Sequence, residues 1–258
     1  MRVDFFAETL GMSTSMTVLL PERAAGQIGQ TNAREGATVP VLYLLHGLSD
    51  DDTTWCRRTS IERYAAERGI AVVMPQVQRS FYSNEVHGLP YWTFLTEELP
   101  EVVHGFFRLS ADRADTFVAG LSMGGYGAMK WALRQPERFA AAASLSGALG
   151  LRHPSERADP EFARLLQNIF GDRPTEGTSD DVIHLIRTAE PADLPALFVA
   201  CGTEDFLFPA NQWFIEEAAA AGVPLTTRIG PGDHEWSYWD AQIQAVLDWL
   251  PHRTRSQT

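Results

Sequence analysis

An α/β fold, with a mainly parallel sheet covered by helices on both faces, is predicted by three features of the sequence. Short apolar runs recur along the chain: Val41-Leu42-Tyr43-Leu44-Leu45, Ile70-Ala71-Val72-Val73-Met74, Phe117-Val118-Ala119 and Leu197-Phe198-Val199-Ala200. Runs of this kind suit strands buried on both faces. They alternate with helical patterns, as in successive β-α-β units. The stretch from Thr116 to Ala128 reads as strand, sharp turn and helix around Gly120-x-Ser122-x-Gly124, the pattern that exposes a serine hydroxyl above the carboxyl end of a sheet.

Taken in order, residues 2–20 alternate apolar and polar and predict two antiparallel edge strands, Val3–Thr9 and Ser15–Leu20, turning near Gly11. Residues 21–38 are a polar loop with Gly26, Gly29, Asn32 and Gly36. The central strand Val39–Leu45 delivers His46-Gly47-Leu48 at its carboxyl end, where open α/β sheets hold ligands. Asp50, Asp51 and Asp52 follow. A metal site there is weighed against a solvated acidic loop, and the loop is preferred. Ser60–Arg68 reads as a helix, Ile70–Met74 as a strand stopped by Pro75, and residues 76–91 as a polar, aromatic loop. Trp92–Phe107 is helical with a break or kink at Pro100.

The serine strand leads into a helix from Met123 to Gln135, ended by Pro136, and Phe139–Ser146 is the next buried strand. Residues 148–193 lack a strong strand and hold two helical patterns, Glu161–Phe170 and Asp180–Thr188, around Gly171–Ser179. This segment is expected to be a cap inserted over the strand ends of one domain spanning residues 1–258. The alternation resumes with strand Ala196–Cys201, helix Asn211–Ala221, strand Leu225–Ile229 and helix Tyr238–Leu250, before a polar tail.

Composition narrows the function. The 258 residues are 45% hydrophobic and 21% charged, enough for a sizeable core. A formal net charge of −12 argues against nucleic acid and against docking on anionic membranes. Two cysteines, Cys56 and Cys201, make neither a disulfide framework nor a metal cluster. The first residues lack the long apolar core of a signal peptide, and no apolar run would span a bilayer. A cytoplasmic location is expected.

A serine hydroxyl is a poor nucleophile near neutral pH. It needs a base, usually His, and the His needs a carboxylate to fix its tautomer. In this type of fold the order along the chain is Ser, acid, His. Asp205, in Gly202-Thr203-Glu204-Asp205, follows the strand Ala196–Cys201, and His234 follows the strand Leu225–Ile229. Ser122, Asp205 and His234 are therefore expected on one sheet edge. Glu204 is the rival acid and would point elsewhere. Asp233 adjoins His234 and reaches its ring poorly. His46 belongs to the turn after the central strand, and His87, His104, His153, His184 and His252 sit on no late strand-end loop. Oxyanion donors are expected at the backbone N–H groups of Met123, after the nucleophile, and Leu48. Trp55, Leu149, Phe206 and Trp236 adjoin these motifs and are expected to wall a substrate pocket.

Together, His46-Gly47-Leu48-Ser49, Ala119-Gly120-Leu121-Ser122-Met123-Gly124-Gly125-Tyr126-Gly127, Ser146-Gly147-Ala148, Cys201-Gly202-Thr203-Glu204-Asp205-Phe206-Leu207 and His234-Glu235-Trp236-Ser237-Tyr238-Trp239 resemble the esterase D-like α/β-hydrolases, and among them the bacterial tributyrin esterases. The resemblance runs to about Pro251. It implies the α/β-hydrolase fold and a serine carboxylesterase for short acyl chains, acting on a small-molecule ester with no metal or organic cofactor, and it allows a homo-oligomer. The alternatives are S-formylglutathione hydrolases, which typically carry His where this chain has Tyr126 and a shorter motif after the catalytic His, and feruloyl or acetyl-carbohydrate esterases. Mycolyl-transferring antigens share the fold but are secreted. A non-catalytic binding protein on this fold would often lack a triad member, and none is missing here.

Overall fold

The computed structural model describes residues 1–22, 38–151 and 159–251. The polar loop expected at 21–38 falls mostly outside the described residues, as do His153, His252 and the tail after Pro251. Strands β1 (Arg2–Ala7), β2 (Met12–Leu19), β3 (Val41–Leu45), β4 (Ala71–Pro75), β5 (Thr116–Leu121), β6 (Ala141–Leu145), β7 (Ala196–Gly202) and β8 (Leu225–Gly230) form one sheet. Its order is β1-β2-β4-β3-β5-β6-β7-β8. β2 is antiparallel to both β1 and β4. From β4 to β8 all neighbours are parallel. The expected antiparallel edge and parallel centre are both present.

The period of two in a strand divides the apolar side chains between two cores. Val41, Tyr43, Leu45, Val118, Ala142, Leu197 and Val199 face one layer. Leu42, Leu44, Phe117, Ala119, Leu121, Ala143, Leu145, Phe198 and Ala200 face the other. Each large apolar side chain contributes roughly 1.5–3 kcal/mol on burial. This is why β3 to β7 read as unbroken apolar runs: neither face touches water. β8 closes the sheet as an edge strand, and its central Thr226, Thr227 and Arg228 are exposed.

The first core is covered by α4 (Leu99–Phe106), α5 (Met123–Arg134), α6 (Pro160–Phe170), α7 (Val182–Thr188) and α8 (Phe208–Ala220). The second is covered by α1 (Thr54–Arg58), α2 (Ile61–Glu67) and α9 (Trp236–Trp249). The helix expected over 92–107 is not simply kinked. A short α-turn, α3 (Tyr91–Thr93), passes into a π-turn at Phe94–Glu98 before α4 begins. Pro100 falls at the start of α4, where its missing N–H would otherwise face the Thr96 carbonyl, and the wider turn absorbs the mismatch.

The Asp50–Asp52 run is not a solvated acidic loop. Asp50 accepts the Gly47 amide at 3.0 Å. Asp51 accepts from the Thr53 amide and the Thr54 hydroxyl at the start of α1. Asp52 is buried and accepts the Ser15 and Thr17 hydroxyls at 2.9 and 2.8 Å, tying this loop to β2. The three carboxylates diverge toward separate donors. Among the described residues, no cluster of His, Cys, Asp and Glu could hold a metal ion.

The crossing of β5 and α5 is the tightest place in the fold. A Cβ on Gly120 would lie 2.4 Å from the backbone C and O of Gly124, and one on Gly124 would lie 2.4 Å from the Leu45 carbonyl oxygen. Backbone cannot yield as a flexible side chain does. Gly120→Ala is therefore expected to lower stability by roughly 3 kcal/mol, read as a fall in the urea midpoint at unchanged slope. An unchanged midpoint would mean that the helix can move away from the strand.

Candidate active site

β5 ends at Leu121 and α5 starts at Met123, so Ser122 alone reverses the chain. Its φ and ψ are 52° and −117°, a conformation that costs a non-glycine residue about 1–3 kcal/mol. Three backbone hydrogen bonds hold it. The Ser122 amide donates to Leu145 O at 2.9 Å, and its carbonyl accepts from Tyr126 N at 3.1 Å and Ala148 N at 3.0 Å.

Ser122 Oγ lies 3.1 Å from His234 Nε2. His234 Nδ1 lies 2.9 and 3.0 Å from the two carboxylate oxygens of Asp205. A carboxylate only accepts, so Nδ1 carries the ring proton and Nε2 turns its lone pair to the serine hydroxyl. Asp205 follows β7 and His234 follows β8, so the carboxyl edge of the sheet brings the three together. Burial pushes the Asp205 carboxyl up, but hydrogen bonds from the His234 ring and the Leu207 amide outweigh it and hold the group below its ordinary range. The competing carboxylates are engaged elsewhere: Glu204 accepts the Gly232 amide at 2.6 Å, and Asp233 accepts the His234 amide at 2.7 Å. The imidazole is flanked by Phe206 and Trp239, with ring centroids 4.6 and 4.8 Å away.

Leu48 and Met123 border the same cavity as Ser122. Among the described residues, neither amide donates a hydrogen bond within the protein. The Met123 amide also lies at the positive end of α5. The Leu48 turn is braced from behind. Tyr82 Oη donates to His46 O at 2.8 Å, and the buried His46 ring accepts the Val77 amide at Nε2 (3.2 Å) while Nδ1 lies 2.7 Å from Gly47 O. Burial pushes the His46 pKa down, although its bond to Gly47 opposes this. The ring is neutral and acts as a strut.

The cavity beside Ser122 has a volume of about 690 Å³. Its apolar walls include Phe81, Leu151, Phe162, Phe206 and Trp213, and Asp159 is the one charged residue among the described lining. Of the four expected wall residues, only Phe206 lines it. Trp55 is buried in the second core, where Nε1 donates to Leu45 O at 3.1 Å. Trp236 packs edge-on against Trp55 and Trp239 in that core. Leu149 is buried in the first core. Adjacency to a motif did not give their direction. Phe81 and Phe162, which meet edge to face at 6.0 Å, come from the 76–91 loop and the 148–193 segment. The aromatic content of that loop, and the apolar face of α6, were the available signals.

The family model described as putative esterase matches residues 7–250. An acetyl esterase of Caldicellulosiruptor saccharolyticus is 26% identical over 260 residues, covering 97% of each chain. Two solved structures from Staphylococcus aureus are each 37% identical and cover 98% of both chains. They are FphF, a fluorophosphonate-binding serine hydrolase, with a TM-score of 0.87, and FrmB, an S-formylglutathione hydrolase, with a TM-score of 0.82. Among the described residues, no helix is long and apolar enough to cross a membrane.

The depressed Asp205 pKa has a readable sign. Its stabilisation is present above the ordinary carboxyl pKa and is lost as pH falls through the lower folded value. Asp205 should therefore stay ionised down to below its ordinary carboxyl range and add no proton of its own to the acid limb of kcat/KM, which keeps a limiting slope of one. A slope near two would show Asp205 titrating in the same range. Asp205→Asn is expected to lower kcat by roughly 10⁴-fold, since the amide favours the wrong imidazole tautomer.

Proposed function

The chain belongs to the putative esterase family, carboxylic ester hydrolases of the α/β-hydrolase fold, and from that premise we propose that it cleaves short-chain acyl esters through an acyl-enzyme on Ser122. One observation carries the reading: the hydrogen-bonded series Ser122–His234–Asp205 opens on an apolar cavity.

The steps follow from the geometry. Ser122 Oγ attacks the ester carbonyl carbon as its proton passes to His234 Nε2. The carbonyl electrons move onto oxygen, and the Leu48 and Met123 amides receive the oxyanion. Asp205 stabilises the imidazolium. Collapse of the tetrahedral adduct breaks the bond to the alcohol oxygen, which leaves with the proton from Nε2. Water then attacks the acyl-enzyme by the same route and releases the acid and Ser122.

A cavity of this size accommodates an acyl chain and a small alcohol together. Apart from Asp159, its described walls offer an acyl tail contact without charge. In this reading residues 148–193 serve as a cap within a single domain, with Leu151 and Phe162 among the parts of it that meet the substrate. We assign the activity to the cytoplasm, a reading supported by two cysteines that are both free.

The likeness to FrmB supports a second reading, in which the acyl group arrives as a glutathione thioester. Hydrolysis of p-nitrophenyl esters from acetate to palmitate, with S-formylglutathione in parallel, separates the two. The expected profile peaks at butyrate or hexanoate and falls steeply beyond. Ser122→Ala should lose at least roughly 10³-fold of it. A kcat/KM for S-formylglutathione above that of every ester would favour the thioesterase. Full activity in Ser122→Ala would reject both.

A further inference from the structure

Lys130 is fully buried on α5, two turns beyond Ser122, and the steps of the reaction do not use it. Its ammonium donates to Ser83 Oγ at 2.6 Å, Asp180 Oδ1 at 3.0 Å and Phe81 O at 3.3 Å. The rings of Trp92 and Tyr126 flank it at 4.9 and 5.0 Å. One turn earlier on the same helix, Tyr126 Oη donates to Asp180 O at 2.7 Å. A buried cation is costly unless it is paired and hydrogen-bonded, and a structural helix position would have been filled more simply by Leu or Met.

What the ammonium holds is unusual. Phe81 and Tyr82 are consecutive non-glycine residues with φ of 49° and 51°, and Gln78 in the same loop has φ of 54°. Such a conformation persists only where surrounding contacts enforce it, and it marks functional sites often enough to call for a reason. The two residues do two jobs. The Phe81 side chain walls the cavity. The Tyr82 ring packs on α5, where a Cβ on Gly127 would lie 2.5 Å from it, and its hydroxyl braces His46 O two residues before Leu48. The loop meets the oxyanion turn again at Val77 N and His46 Nε2.

We propose that Lys130 is a positioning residue: by holding the Phe81 carbonyl, Ser83 and Asp180 against α5, it fixes the left-handed Phe81–Tyr82 pair and, through Tyr82, sets the Leu48 amide relative to Ser122. The inference rests on the Ser122 acyl-enzyme reading. The helix that carries the nucleophile thereby also carries the clamp for the opposing oxyanion donor, so the two move as one unit. A displacement of about 1 Å at such a donor costs roughly 10²-fold in rate.

The test uses two variants. Lys130→Met with Asp180→Asn removes the charge pair without leaving a lone carboxylate, and Tyr82→Phe removes only the hydroxyl strut. Each is expected to lower kcat on p-nitrophenyl butyrate roughly 10- to 100-fold with KM changed far less. Affinity for a trifluoromethyl ketone, whose hemiketal oxygen would occupy the oxyanion site, should fall in step with kcat/KM. Combined, the changes should cost no more than the more severe one, because both act on one chain of contacts. Wild-type kcat and ketone affinity in Tyr82→Phe, or in a folded Lys130→Met/Asp180→Asn protein, would overturn the inference, as would losses that simply add. Should the charge-pair variant fail to fold, Tyr82→Phe alone still decides the strut. Ser122→Ala run alongside separates the two levels. Activity surviving there overturns the Ser122 reading and this inference with it. Activity lost there but kept in the Lys130 variant overturns this inference alone.

Discussion

Ser122 occupies a backbone conformation that L-residues avoid, and the conformation survives because every group around it leaves no alternative. Its amide is committed to Leu145 O, and its carbonyl to the amides of Tyr126 and Ala148. Gly120 and Gly124 let β5 and α5 cross closer than side chains permit. From this one turn follow the direction of α5, the outward Met123 amide, and a hydroxyl within hydrogen-bond reach of His234. The strain, about 1–3 kcal/mol, is small beside the apolar burial on both faces of the sheet.

That burial also explains where the polar chemistry lies. β3 to β7 are apolar on both sides, so ionisable groups that must converge are left with the loops at the strand ends. Asp205 can be buried there because two donors meet its carboxylate, the His234 ring and the Leu207 amide. Its charge then serves an imidazole packed between Phe206 and Trp239. Phe206 is 72% exposed and stands between the imidazole and solvent at the mouth of the cavity. The aromatic walls and the relay thus meet at the carboxyl edge of the sheet.

Much of this was legible in the residues. Apolar runs located β3 to β7, and the rule that ligands gather at carboxyl ends selected Ser122, Asp205 and His234 from among seven histidines and many carboxylates. Those signals are local or fixed by chain order. The pocket walls were not legible in the same way. Trp55 and Trp236 lie beside motif residues in the sequence but point into the second core, because side-chain direction depends on where α1 and α9 dock. Phe81 and Phe162 are 81 positions apart and meet only through the sheet's topology. Asp52 reads as one of three equivalent aspartates, until β2 brings Ser15 and Thr17 to it. No motif marks Lys130, whose burial depends on Phe81, Ser83 and Asp180 arriving from distant parts of the chain.

Covalent labelling tests the role of Ser122 more directly than any rate. The protein would be treated with a fluorophosphonate, and the adduct located by intact mass and peptide mapping. The expected result is one adduct per chain, on Ser122, formed far more slowly when His234 is replaced by Ala, since the attacking hydroxyl depends on that base. Labelling at another residue, or equal labelling without His234, would contradict a nucleophile set up by the strained turn and the relay.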